Sequence, residues 1–111
     1  MKNLFLLTLL SISSLTYAAP FKDNATCTIF QEGVEYYNGP CQFKADKKGW
    51  SIRAEEVFAG ELQRLTFTYI KPDVAQVTGY DMNGYKSDWG LLTRKGACWS
   101  DKEIKICAKG K

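Results

Sequence analysis

Acidic side chains are the first residues to weigh for catalysis, because the chain contains no histidine to serve as a general base. Glycoside hydrolysis needs two carboxyl groups that face each other across a bond. Glu55 and Glu56 are adjacent, so their side chains point in different directions on either a helix or a strand. Asp81 and Asp88 form the other acidic cluster. A hairpin turn predicted at Asn83-Gly84 places Asp81 opposite Lys86 in a cross-strand charge pair. The sequence therefore predicts no catalytic residues and a protein that is not an enzyme.

Four cysteines, Cys27, Cys41, Cys98 and Cys107, are the residues best suited to covalent chemistry. Their spacing contains no C-x-x-C pair, which argues against a zinc site or a redox dithiol. An even number of cysteines in a short exported chain instead indicates two disulfides. The local pairs Cys27–Cys41 and Cys98–Cys107 are favoured, while Cys27–Cys107 with Cys41–Cys98 is an alternative that would join the chain ends. No metal and no cofactor is expected.

Aromatic and polar residues are interleaved through residues 79–90, a composition typical of protein-binding loops. Asn83-Gly84 indicates a tight hairpin turn, which would hold such a loop in place before a partner arrives. The predicted partner-binding tip consists of Asp81, Met82, Asn83, Tyr85, Lys86 and Asp88. The alternative is an ordinary turn whose neighbours Tyr80 and Trp89 are simply packed in the core.

Turn-forming residues divide the chain into short runs rich in β-branched and aromatic residues, which is the pattern of an all-β domain. The predicted strands cover residues 25–30, 34–37, 41–45, 49–54, 64–70, 74–82, 85–94, 97–100 and 104–108. Only residues 54–63 break the pattern, and they could form either one or two helical turns ended by Gly60 or a loop. The predicted fold is a small antiparallel meander of about eight short strands, closed as a barrel or stacked as a sandwich and held by disulfides.

Two turns predict the register of the central strands. A type I′ turn at Asn83-Gly84 opposes Thr78 to Trp89, and a turn at Pro72 opposes Phe67 to Thr78. Because side chains alternate along each strand, the core residues then lie on one face of the predicted sheet, and smaller, more polar side chains lie on the opposite face. The predicted core face carries Leu65, Phe67, Tyr69, Tyr80, Trp89 and Leu91, and the opposite face carries Thr66, Thr68, Val77, Gly79 and Asp88.

Residues 4–15 form an apolar stretch behind Lys2, and Thr16 and Ala18 then supply small residues at positions −3 and −1 of a cleavage site, which is the pattern of a secretory signal peptide. We predict that residues 1–18 are this signal peptide and that residues 19–111 form a single small domain, periplasmic or secreted after cleavage. No second stretch is long enough to span a bilayer, so no membrane insertion is expected. The charge is mild and mixed, at +3 for the whole chain, which argues against nucleic acid as a partner.

The size, export signal, β-rich pattern and polar-aromatic hairpin of the chain resemble the small periplasmic lysozyme inhibitors of the C-type class. The matching residues are Thr78-Gly79-Tyr80 followed by Asn83-Gly84-Tyr85-Lys86. The resemblance implies a small antiparallel barrel that blocks the lysozyme cleft with a loop containing Ser, Gly, Tyr and Lys. The Ser-Gly-rich loop of that family is not reproduced here, and a net positive charge is unfavourable for binding a cationic lysozyme.

These observations together predict an exported, non-enzymatic protein-binding module of the bacterial envelope. Its partner would be another protein, either a cell-wall hydrolase that it inhibits or a toxin that it neutralises as an immunity protein. An alternative is a small-ligand or glycan-binding protein with a groove lined by Trp50, Tyr80 and Trp89. A third reading is a structural envelope component without a specific ligand.

Overall fold

The computed structural model describes residues 21–110 as an antiparallel barrel of eight strands, each paired with its neighbours in the sequence. The strands are β1 (Ala25–Gln31), β2 (Val34–Ala45), β3 (Gly49–Arg53), β4 (Leu62–Lys71), β5 (Val74–Asp81), β6 (Lys86–Lys95), β7 (Cys98–Ser100) and β8 (Ile104–Gly110). Pairing of β1 with β8 closes the sheet, as a barrel requires. The all-β prediction is confirmed, with a barrel rather than a sandwich. The predicted signal peptide, residues 1–18, lies outside the described residues.

Strand alternation fills the barrel interior with apolar side chains. On β4, Leu65 and Phe67 are buried between more exposed neighbours, and Ala75 and Val77 repeat the pattern on β5. The largest fully buried side chains are Phe67, Ile52, Leu65, Leu92, Ile106, Val77, Cys27 and Cys41. No polar or charged side chain of residues 21–110 is buried. Functional groups of the described chain therefore lie on the outer wall and at the two ends of the barrel.

The β5–β6 turn differs from the predicted type I′ geometry. Met82, Asn83 and Gly84 form a three-residue loop, because the N–H of Asp81 donates to the carbonyl of Tyr85 at 3.0 Å. Gly84 has a φ of 87°, whereas Asn83 does not adopt the positive φ that a type I′ turn requires at both central residues. The prediction of a two-residue turn is therefore wrong.

The extra loop residue shifts the pairing of β5 with β6 by one position. Thr78 lies opposite Asp88 rather than Trp89. Trp89 is then the extra residue of a β-bulge, and beyond it the two strands return to the predicted register. A second irregularity, near the β4–β5 turn, places Phe67 opposite Val77 rather than Thr78.

The predicted core face is consequently wrong on β5 and β6. The inward side chains there are Ala75, Val77 and Leu92, all fully buried. Leu91 is exposed, and Tyr80 lies on the outer wall, one position out of phase with the buried residues of β5. The one-residue slip between β4 and β5 moves Tyr80 to the outer face. Leu91 pairs with the outward-facing Gln76 as predicted, so it lies on the outer face as well.

Two segments depart from the predicted elements. Residues 34–45 form one strand rather than two, because Gly39 and Pro40 continue the pairing with β1. Residues 54–61 form no helical turn, so the loop alternative is the correct one there, and residues 62 and 63 belong to β4. In the β3–β4 loop, the N–H of Phe58 donates to the carbonyl of Leu62 at 2.7 Å, and the Phe58 side chain is buried in the core.

Two disulfides join Cys27 to Cys41 and Cys98 to Cys107, which confirms the favoured local pairing over the alternative. Cys27 and Cys41 are fully buried between β1 and β2, whereas Cys98 and Cys107 are half-buried and directly opposite each other on β7 and β8. Both bonds fit an oxidising extracellular compartment. Within residues 21–110, the structure contains no helix with the length and apolarity needed to cross a bilayer.

Candidate functional site

The barrel has two ends of different construction. One end, called the hairpin end, carries the β1–β2, β3–β4, β5–β6 and β7–β8 connections. The other, called the terminal end, carries the β2–β3, β4–β5 and β6–β7 connections together with the start of β1 and the end of β8. The predicted partner-binding residues lie at the hairpin end, in and beside the β5–β6 turn.

The carboxylate of Asp81 fixes the shape of the β5–β6 turn. Its Oδ1 accepts hydrogen bonds from the backbone N–H groups of Asn83 at 2.8 Å and of Tyr85 at 2.9 Å. The backbone N–H of Met82 donates to the carbonyl of Glu61 in the β3–β4 loop at 3.0 Å, which ties the turn to its neighbour. The turn is therefore ordered before any partner binds, and this lowers the entropy lost on binding.

Two large apolar side chains project from this ordered turn. Met82 is 60% exposed and Tyr85 is 74% exposed, and the exposed residues Asn83 and Lys86 lie beside them. These four residues are called the tip patch. An apolar pair flanked by an amide and an ammonium group combines contact area with directional hydrogen bonding, as protein-binding surfaces do.

The other two predicted site residues, Asp81 and Asp88, accept hydrogen bonds from groups of the barrel itself. Asp81 holds the turn, and the Asp88 carboxylate accepts a hydrogen bond of 2.6 Å from the side-chain amide of Gln76 across β5 and β6. The predicted charge pair of Asp81 with Lys86 is wrong, because the three-residue loop places Lys86 opposite Tyr80. The fold therefore brings four of the six predicted residues together on one exposed surface.

Replacing Asp81 with alanine is expected to loosen the tip patch without unfolding the barrel. The N–H groups of Asn83 and Tyr85 would lose their acceptor, at a cost of about 1–2 kcal/mol in the free energy of local opening. Amide hydrogen exchange at these two residues should accelerate about tenfold, with exchange in the core unchanged. Asp88→Ala is the matched control and should leave both amides unaffected. Equal protection in wild type and Asp81→Ala would contradict the role assigned to the carboxylate.

Charges are divided between the two ends of the barrel, although the net charge of the whole chain is only +3. In the described chain, the hairpin end carries eight carboxylates, Glu32, Glu35, Glu55, Glu56, Glu61, Asp81, Asp101 and Glu103, against four basic side chains, Arg53, Lys86, Lys102 and Lys105. The terminal end carries eight basic side chains, Lys22, Lys44, Lys47, Lys48, Lys71, Arg94, Lys95 and Lys109, against Asp23, Asp46 and Asp73. The tip patch therefore lies on a net negative surface, which the whole-chain charge conceals.

The groove predicted from Trp50, Tyr80 and Trp89 is not assembled by the fold. Trp50 stacks on Phe67 inside the barrel, with ring centroids 3.8 Å apart. Tyr80 lies on the outer wall, where the Arg64 guanidinium is 5.9 Å from its ring centroid. Trp89 is half-buried against the core from β6. Trp50, Tyr80 and Trp89 thus have separate surroundings.

A different aromatic site, missed by the sequence prediction, lies at the mouth of the terminal end. Phe43, Trp50, Tyr69 and Trp99 line an open cavity of about 240 Å³, and Arg94 stands on its rim. The side chain of each of these residues faces the barrel interior, from the part of its strand that is nearest to the terminal end. These positions are the signal by which the sequence could have indicated this site. They can be deduced once the register of every strand is known.

The hairpin end is closed from within by a pair of aromatic side chains. The ring of Phe58 meets the ring of Tyr37 edge-on, with centroids 4.9 Å apart. The Tyr37 hydroxyl donates to the carbonyl of Pro40 at 2.5 Å, and burial raises the pKa of this phenol above its ordinary value of 10.0. A partner at this end therefore meets the outer surface of the barrel rather than its interior.

A metal-binding cluster is not seen in the part of the chain that the structure describes. No three His, Cys, Asp or Glu side chains within residues 21–110 lie close enough together to hold a metal ion. Glu55 and Glu56 are exposed neighbours in the β3–β4 loop. Comparisons of the chain with models of protein families, with curated proteins and with solved structures find no match.

Proposed function

We propose that this protein is an exported, non-enzymatic binding protein of the bacterial envelope, active in the periplasm or after secretion, whose tip patch blocks a cell-wall hydrolase. The observation that carries the proposal is the exposure of Met82 and Tyr85 on a turn that the Asp81 carboxylate already holds in shape. Large side chains presented by an ordered turn favour binding of a macromolecule, because little conformational entropy is lost when they are covered.

The charge of the hairpin end supports a cationic partner. The whole-chain charge of +3 is unfavourable for binding a cationic lysozyme, but the hairpin end, which includes the tip patch, carries eight carboxylates and four basic side chains. A net negative surface accelerates association with a cationic hydrolase, and added salt weakens this effect. The division of charge between the two ends thus removes the objection raised by the composition.

Tyr85 and Lys86 are the residues proposed to enter the substrate cleft of the hydrolase. Glycoside hydrolases place two carboxyl groups on either side of the scissile bond, and an ammonium group is complementary to them. Lys86 is exposed next to Tyr85, whose ring supplies contact area. An immunity protein against a secreted toxin is the second candidate, because it would use the same ordered, exposed turn.

Inhibition of purified hydrolases tests the proposal. The protein is expected to bind a cationic C-type lysozyme with equal stoichiometry and to inhibit peptidoglycan cleavage in competition with the substrate. Tyr85→Ala should weaken binding by about 2 kcal/mol, a loss of roughly thirtyfold in affinity. Tyr69→Ala is the matched control, because it removes an exposed tyrosine from the terminal end and should bind like the wild type.

Binding kinetics at several salt concentrations complete the test. The association rate should fall as salt is added, while the dissociation rate changes little. Failure to bind and inhibit a cationic C-type lysozyme would overturn the hydrolase proposal. Equal affinities of Tyr85→Ala and Tyr69→Ala would show instead that the tip patch is not the contact surface.

A further inference from the structure

The terminal end of the barrel finishes in an open aromatic mouth that the proposed function does not use. Trp50 and Trp99 form its floor, only 7% and 5% exposed, with ring centroids 6.0 Å apart. Tyr69 forms one wall, 45% exposed, with its centroid 6.0 Å from that of Trp99. Aromatic rings at a solvent boundary offer flat apolar faces on which another ring can stack.

Short connections border this mouth in the described part of the chain. The β4–β5 turn consists of Pro72 and Asp73, and the β6–β7 turn consists of Gly96 and Ala97. At the hairpin end, by contrast, the longer β3–β4 loop inserts the buried Phe58 into the barrel. Such short turns do not fold back over the barrel, so within residues 21–110 the last aromatic layer of the terminal end borders an open cavity of about 240 Å³.

Arg94 adds an oriented positive group to the rim of this cavity. Alternation with the buried Leu92 turns its side chain to the inner side of β6. Its Nε donates to the carbonyl of Gly96 at 3.2 Å, and its Nη1 lies 3.7 Å from the carboxylate of Asp73. Neither contact involves Nη2, which can donate to a ligand.

The surroundings of the mouth are also basic. The terminal end carries eight basic side chains and three carboxylates within the described chain. The Asp46 carboxylate accepts hydrogen bonds from the N–H groups of Lys48 at 2.8 Å and Gly49 at 2.9 Å, and Asp73 faces Arg94. The potential at the mouth therefore favours an anion.

We propose that the terminal mouth is a second binding site, for a small ligand that carries a carboxylate on a six-membered ring. The ring would stack on Tyr69 and Trp99, and the carboxylate would pair with Arg94. The cavity of about 240 Å³ is below the range of about 300–1,000 Å³ typical of drug-sized ligands, so it suits one ring. An acidic sugar and an aromatic acid share this chemistry. The site is independent of the tip patch, which lies at the other end of the barrel.

Indole resonances report on this site directly, because the chain has three tryptophans and two of them line the mouth. Titration of the protein with sodium glucuronate or sodium benzoate is expected to shift the Nε1–H signals of Trp50 and Trp99 and to leave that of Trp89 in place. The neutral counterparts glucose and benzyl alcohol should bind about tenfold more weakly. A response to glucuronate alone assigns an acidic sugar, and a response to benzoate alone assigns an aromatic acid.

Two variants on adjacent positions separate a built site from general attraction of anions. Arg94→Gln should weaken binding of the responding acid about tenfold, because a charge-assisted hydrogen bond is lost. Lys95→Gln removes the same charge from the outward neighbour and should change affinity less than about twofold. Tyr85→Ala should leave the titration unchanged, so this test is separate from that of the tip patch.

Three results would overturn the proposal. They are no shift with either acid, a shift of Trp89 as large as those of Trp50 and Trp99, and an equal loss of affinity in Arg94→Gln and Lys95→Gln. Far-ultraviolet circular dichroism of both variants establishes that the barrel is intact when the affinities are compared.

Discussion

Replacement of Gly49 by alanine is expected to prevent the barrel from folding. A Cβ at this position would lie 1.8 Å from the carbonyl oxygen of Phe67 and 2.9 Å from its carbonyl carbon, far inside van der Waals contact. The obstacle is the backbone of the neighbouring strand, so only separation of β3 from β4 can relieve it. That separation would also break the stack of Trp50 on Phe67, whose centroids are 3.8 Å apart. We expect a loss of more than about 4 kcal/mol, most of the stability of a small domain.

Thermal and urea unfolding followed by circular dichroism measure this loss. Gly110→Ala is the matched control, because no atom of residues 21–110 lies within 4 Å of a Cβ added at the end of β8. Its free energy of unfolding should stay within about 0.5 kcal/mol of the wild type. A Gly49→Ala protein that unfolds cooperatively near the wild-type midpoint would show that β3 and β4 do not approach as closely as described.

The fold class could be predicted from the sequence because its signals repeat along the whole chain, but the register could not. Asn83-Gly84 favours a type I′ turn when it is considered as a dipeptide. In the structure, the Asp81 carboxylate accepts hydrogen bonds from the backbone of Asn83 and Tyr85 and thereby stabilises a three-residue loop. A contact between one side chain and backbone groups two and four residues away is not contained in any dipeptide pattern.

The bulge at Trp89 had a larger consequence than the turn. With unbroken alternation, Trp89 and Leu91 would face inwards on β6, and Arg94 would face outwards. The bulge reverses this pattern beyond Trp89, so Leu92 is buried and Arg94 reaches the rim of the terminal mouth. One inserted residue thus decides whether that mouth carries a cation, and propensities give no means of locating it.

The two ends of the barrel differ in how far they could be predicted. The exposure of Met82 and Tyr85 could be foreseen, because residues that flank a tight turn lie beyond the packed part of the sheet. The division of charge between the ends could not be foreseen, because it depends on which connections lie at the same end of the barrel. The grouping of the connections follows only from closure of all eight strands. A net charge of +3 is a sum over both ends and describes neither.

Loss of the Cys27–Cys41 disulfide is expected to destabilise the barrel more than loss of Cys98–Cys107. The sequence separations are 14 and 9 residues, so the loop-entropy contributions are similar, about 3 kcal/mol each. The difference comes from burial, since Cys27 and Cys41 are enclosed in the core and truncation there leaves a cavity. We expect a loss of about 4–5 kcal/mol for Cys27→Ala/Cys41→Ala and about 3 kcal/mol for Cys98→Ala/Cys107→Ala.

Denaturant unfolding of the two double variants, each as the control for the other, measures this difference. Limited reduction of the wild type adds an independent readout, because thiol–disulfide exchange requires access to the sulfur atoms. Alkylation and mass spectrometry should detect modified Cys98 and Cys107, which are half-buried on the barrel wall, before modified Cys27 and Cys41. Equal unfolding midpoints of the double variants, or alkylation of the inner pair first, would mean that the Cys27–Cys41 bond is not enclosed by the barrel.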